Sequence, residues 1–125
     1  MRLRTPLTEL VGIEHPVVQT GMGWVAGARL TAATSAAGGL GILAAATMTV
    51  DQLQAQIEEV KARTSNPFGV NLRADQPDLP KRLDLLIRHG VKVASFARAP
   101  GPRAFAQLKE AGILTMPTVG APRHA

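Results

Sequence analysis

Gly21, Met22, Gly23 and Asn71 are the residues whose types suit contact with a flat ligand. The two glycines let backbone approach a ring closely, and the methionine between them is a polarizable packing surface. Asn71 donates and accepts from one amide, which suits the edge of a heterocycle carrying both C=O and N–H. The same residues also fit a plainer role. Gly21-Met22-Gly23 serves equally as a tight strand-to-helix turn, and Asn71 as a loop-capping residue.

Groups for acid–base chemistry are sparse around them. The three histidines are His15, His89 and His124. His15 precedes the first strand, at the end opposite an active site. His89 falls at a helix C-terminus, where partial positive charge suits the dipole. His124 opens whatever follows. None of these placements suggests catalysis, and no histidine and carboxylate set has the spacing of a metal site. There is no Gly-x-Ser-x-Gly elbow and no P-loop. Without cysteine, disulfides and thiolate metal sites are excluded.

The elements that position these residues alternate. Val17-Val18-Gln19 reads as a strand, Ala26 to Ala37 as a helix stopped by Gly38, and Gly41-Ile42-Leu43 as a second strand. Thr49 and Gln52 have capping-box spacing. After them Val50, Leu53, Ile57 and Val60 recur at helical steps to Arg63. Phe68 to Leu72 is a third strand. A polar loop over Asp75 to Leu79 leads to a helix through Leu83, Leu86 and Ile87, and Val91 to Phe96 is a fourth strand. A helix carrying Phe105, Leu108 and Ala111 ends at Gly112, and Ile113 to Val119 is a fifth strand. Gly38-Gly39-Leu40-Gly41 lies between a helix and a strand, so it reads as a helix stop and tight turn; a phosphate loop follows a strand and opens a helix.

This alternation predicts an α/β fold: a partial TIM (β/α)8 barrel of about five parallel strands with outer helices. Such a barrel closes with about eight units and roughly 250 residues, so the chain is expected to hold the first part of one. Sites in this fold lie at the C-terminal ends of the strands. That rule selects Gln19, Thr20, Gly21 and Met22, then Ala44 and Ala45, Asn71, Ser95 and Phe96, and Thr118 and Gly120. With both sheet edges unpaired, the 125-residue chain is expected to be aggregated or partly folded when alone.

The net charge is +5, but the basic residues are scattered over predicted helices and not clustered. The four aromatics do not interleave with a basic run, which argues against a nucleic-acid partner. No apolar stretch is long enough to span a membrane. The N-terminus lacks the apolar region of a signal peptide, and the absence of cysteine fits a cytoplasmic setting.

Three segments, His15 to Trp24, Ala37 to Gly41 and Asn66 to Leu72, taken with the ending Pro122-Arg123-His124-Ala125, resemble the N-terminal half of the nitronate monooxygenases, formerly 2-nitropropane dioxygenases. The resemblance implies a TIM-barrel flavoprotein that holds FMN and oxidises alkyl nitronates with O2. It implies that Gly21, Met22 and Gly23 line the flavin and that Asn71 hydrogen-bonds to it. It places the catalytic histidine in a segment beyond residue 125, so residues 1–125 are expected to be the N-terminal part of one FMN-binding domain, inactive alone. Flavin-type enoyl-ACP reductases share the glycine motifs and are the alternative enzyme; a non-catalytic truncated product is the alternative outside enzymes.

Overall fold

Stop and start signals in the chain divide it into alternating strands and helices. The computed structural model describes residues 2–125. The helices are α1 Pro6–Val11, α2 Ala28–Ala36, α3 Val50–Arg63, α4 Leu79–His89 and α5 Pro102–Glu110. The strands are β1 Val18–Gln19, β2 Leu40–Ala44, β3 Phe68–Leu72, β4 Val93–Phe96 and β5 Leu114–Pro117. Thr49 caps α3 as a full capping box: its Oγ1 accepts from Gln52 N at 3.1 Å, and Gln52 Oε1 accepts from Thr49 N at 2.9 Å. Gly90, at φ 64°, ends α4 in the left-handed conformation that an L side chain resists.

The strands form one parallel sheet in the order β1-β2-β3-β4-β5. Each is joined to its neighbour through a helix, so the chain advances one strand at a time as a half-barrel. One face of the sheet carries Leu43, Val70, Leu72, Ala94 and Phe96, packed against Leu53, Ile57, Val60, Leu83, Leu86 and Leu108 of the helices. Each large side chain buried there contributes about 1.5–3 kcal/mol relative to exposure. Gly41 faces this layer, and a Cβ on it would overlap the Thr31 backbone of α2. Its lack of a side chain therefore sets how closely helix and strand pack, a role separate from the turn formed at Gly38.

The inner face carries Leu40, Ile42 and Val93, with Val18, Leu114 and Met116 beside them. The crossover helices α2 to α5 lie outside, as expected, and α1, which precedes β1, is the exception. Leu7 and Val11 of α1, with Ile13, pack on the inner face near the start of β2, where Glu14 N donates to Gly38 O at 2.9 Å. The cause is apolar area that the outer helices cannot reach, and α1 covers it at the N-terminal end of the strands. The opposite end of the inner face is left for a site.

Candidate functional site

At the C-terminal end of the strands the register sets four residues abreast. Ala44 pairs with Asn71, Asn71 with Ser95 and Ser95 with Met116. Side chains alternate along a strand. Asn71 and Ser95 therefore point away from the helix layer that holds Val70, Leu72, Ala94 and Phe96. Asn71 Nδ2 donates to Ser95 Oγ at 2.8 Å. Ser95 is buried, and Asn71 is half-buried.

The segment after β1 folds over this row. A Cβ on Gly21 would stand 2.6 Å from Asn71 Cβ and 3.2 Å from its Cγ. The space a side chain would take is filled by Asn71, so Gly21 is required by packing, independently of any ligand. Farther along, Met22 O accepts from Val25 N at 3.0 Å and Ala26 N at 2.8 Å, and Ala44 N donates to Ala26 O at 3.0 Å. These bonds pin the segment to the tip of β2. Gly23 lies beside the Thr47 methyl. Met22, Trp24 and Val25 face outward, with 41%, 87% and 63% of their surface exposed. Trp24 has φ 67°, a left-handed backbone that costs an L residue about 1–2 kcal/mol.

One amide here has capacity to spare for a ligand. Asn71 commits Nδ2 to Ser95 and keeps Oδ1 to accept. Gln19 Nε2 donates to Ile42 O at 3.0 Å, while Gln19 Oε1 is buried without a partner. The site thus offers an acceptor, small residues and no charge, a combination that fits the N–H edge of a neutral planar ring.

A buried arginine braces the neighbouring turn. Arg82 of α4, 3% exposed, donates to Ala45 O at 2.7 Å and Met48 O at 2.6 Å in the 3-10 turn and loop after β2. It also pairs with Asp78, Nε to Oδ1 at 2.8 Å. The hydrogen bond from Arg82 holds the Asp78 carboxyl below the usual range, against partial desolvation. At the mouth, the hydrogen bond from Arg73 does the same for Asp75. Sequence reasoning missed Arg82; the available signal was the Asp78-to-Arg82 spacing of four.

Other candidates fall elsewhere. Ala45 and Phe96, placed by sequence at the strand tips, belong to the helix-side core. Thr118 and Gly120 line a separate open hollow of about 450 Å³ with Arg98 and His124. His15 lies beside Glu14 and Gly38, at the start of β2. The His89 carbonyl accepts from Lys61 Nζ at 3.1 Å at the end of α4. Among the described residues no cluster of three or more His, Cys, Asp or Glu side chains could hold a metal ion, and no helix is long and apolar enough to cross a membrane.

The family model described as nitronate monooxygenase matches residues 4–125. The chain belongs to the nitronate monooxygenase family. It is 67% identical over 125 residues to the (3aS,4S,5R,7aS)-5-hydroxy-7a-methyl-1-oxo-octahydro-1H-indene-4-carboxyl-CoA dehydrogenase of Mycobacterium tuberculosis, covering 100% of this chain and 35% of that protein. It is 42% identical over 66 residues to a probable nitronate monooxygenase of Staphylococcus haemolyticus, covering 53% of this chain and 18% of that protein. The chain therefore spans about a third or less of the curated relatives it matches. FabK from Thermotoga maritima superposes with TM-score 0.88 at 38% identity, over 95% of this chain and 38% of that one. The nitroalkane oxidase of Streptomyces ansochromogenes does so with TM-score 0.85 at 30% identity, over 95% and 44%.

Proposed function

We propose that this chain is the N-terminal part of a single FMN-binding TIM-barrel domain. The whole protein would be an oxidoreductase acting on the CoA thioester of a bicyclic ring acid, a hydrocarbon frame that carries a hydroxyl and a ketone. The observation that carries the substrate class is the 67% identity across the full chain to a dehydrogenase of such a thioester. The identity to a probable nitronate monooxygenase is 42% over about half the chain. The exposed Met22, Trp24 and Val25 beside the uncharged row are consistent with that hydrocarbon frame.

Asn71 and the segment Gly21-Met22-Gly23 would hold the ring of the cofactor. When bound, the flavin would take up the electrons removed from substrate. This chain's residues would orient the ring and wall one side of the substrate. Among the described residues, neither a carboxylate nor a histidine stands in the Ala44–Asn71–Ser95–Met116 row. The resemblance to the nitronate monooxygenases implies that the proton-accepting group is a histidine beyond residue 125.

The family match supports a second reading, oxidation of an alkyl nitronate such as propionate 3-nitronate with O2. The glycine motifs shared with flavin-type enoyl-ACP reductases support a third reading, reduction of an enoyl thioester. Steady-state turnover of the purified whole protein, with the segment beyond residue 125 included, on each substrate separates these. Faster turnover of the bicyclic carboxyl-CoA thioester is expected. Turnover of the nitronate alone, or of an enoyl thioester alone, would replace the first reading.

A further inference from the structure

We propose that Ser95 is a positioning residue, which fixes the Asn71 amide so that Oδ1 is the atom presented to the ligand. The inference rests on the reading that this end of the sheet holds FMN. Ser95 is a buried hydroxyl within the otherwise apolar strand Val93–Phe96. Burying a hydroxyl costs free energy unless it is hydrogen-bonded. Its protein partner is Asn71, at 2.8 Å across adjacent strands in register. Gly21 closes on Asn71 from another side, leaving its Cβ no room to move. The amide is therefore held at both ends, by packing at Cβ and by the serine at Nδ2. With Nδ2 engaged, Oδ1 remains to accept. A carbonyl-type acceptor selects a ligand edge that carries an N–H donor, such as the imide of a fused heterocycle. Ser95 keeps its own hydroxyl proton and can donate it to a neighbouring acceptor on the same edge.

The test is FMN titration of the purified protein, stripped of flavin, followed by fluorescence quenching and by the visible spectrum of the bound flavin. Loss of one such hydrogen bond corresponds to about a five- to tenfold change in Kd. Ser95→Ala is expected to weaken FMN binding by that factor and to shift the visible band. Ser95→Thr and Ser95→Val differ by a hydroxyl in place of a methyl, so they give the same comparison if the alanine variant does not fold. The threonine variant is expected to bind within about twofold of the unaltered protein and the valine variant to resemble the loss. In an Asn71→Ala background, Ser95→Ala is expected to add less than about twofold, because a residue acting through another has nothing left to position. A yellow protein in which Ser95→Ala leaves Kd and spectrum unchanged overturns the inference alone. So does a full-sized Ser95→Ala effect in the Asn71→Ala background. An unaltered protein that binds no FMN overturns the cofactor reading and this inference together.

Discussion

Replacing Gly21 with alanine should damage both the fold and the site. The added Cβ would stand 2.6 Å from Asn71 Cβ and 3.5 Å from Leu43 O. Carbon atoms in contact prefer about 3.5–4.0 Å, so roughly 1 Å must be found. The atom in the way is a Cβ fixed to the backbone of β3, and β3 is paired on both sides. It cannot swing aside as the end of a long side chain would. Either the segment lifts from the sheet or Asn71 shifts and releases Ser95. Overpacking of this kind costs about 1–3 kcal/mol, and the Asn71–Ser95 hydrogen bond adds about 1 kcal/mol. The expected loss is therefore about 2–4 kcal/mol, read by urea denaturation of Gly21→Ala against the unaltered protein, both with the segment beyond residue 125 included. Gly120→Ala is the control, since a Cβ there meets only His124 atoms at 3.7 Å or beyond; it should change stability by less than about 0.5 kcal/mol. A Gly21→Ala variant as stable as its control would refute the packing argument.

Arg82→Met should cost about 3–5 kcal/mol by the same assay. It leaves the Met48 carbonyl unpaired, takes from the Ala45 carbonyl one of its two donors (Met48 N remains, at 3.0 Å) and strips Asp78 of its partner; a loss below about 1 kcal/mol would show that the arginine is dispensable. The Asp78 carboxyl lies below its ordinary value when folded, chiefly through the Arg82 hydrogen bond. Its contribution is thus complete above the unfolded value of about 3.9 and is lost as pH falls through the folded one. Melting temperatures from pH 7 to pH 3 should drop below about pH 4, and less steeply in Asp78→Asn; parallel curves would contradict the pairing. Trp24→Gly should raise stability by about 0.5 kcal/mol or more by relieving the backbone at φ 67°. It should also weaken turnover of a substrate with a hydrocarbon ring frame, because the exposed indole is lost. Unchanged turnover would remove Trp24 from the substrate wall.

The order of elements was legible because local signals carry it. Thr49 and Gln52 mark a helix start, and the apolar steps from Val50 to Val60 match the buried face of α3. Gly90 and Gly112 mark the helix ends before two strands. That Ala44, Asn71 and Ser95 share one end of the sheet was legible because the parallel topology fixes which ends face together. Long-range roles were not legible. Arg82 looks like a surface residue beside Leu83 until two carbonyls from the turn after β2 meet it. Gly21 and Asn71 are distant in sequence, and only the fold shows that one makes room for the other. The short helix α1 lacks the repeated apolar steps that mark a longer one. Its place under the barrel follows from inner-face area that no other described helix covers.

The most direct measurement is a crystal structure of the FMN-loaded protein. The account predicts that the flavin ring lies over the tips of β1 to β4, with the Asn71 amide within about 3.2 Å of a ring heteroatom. A ring seated at the opposite end near His15, or on the helix side of the sheet beside Phe96, would contradict it.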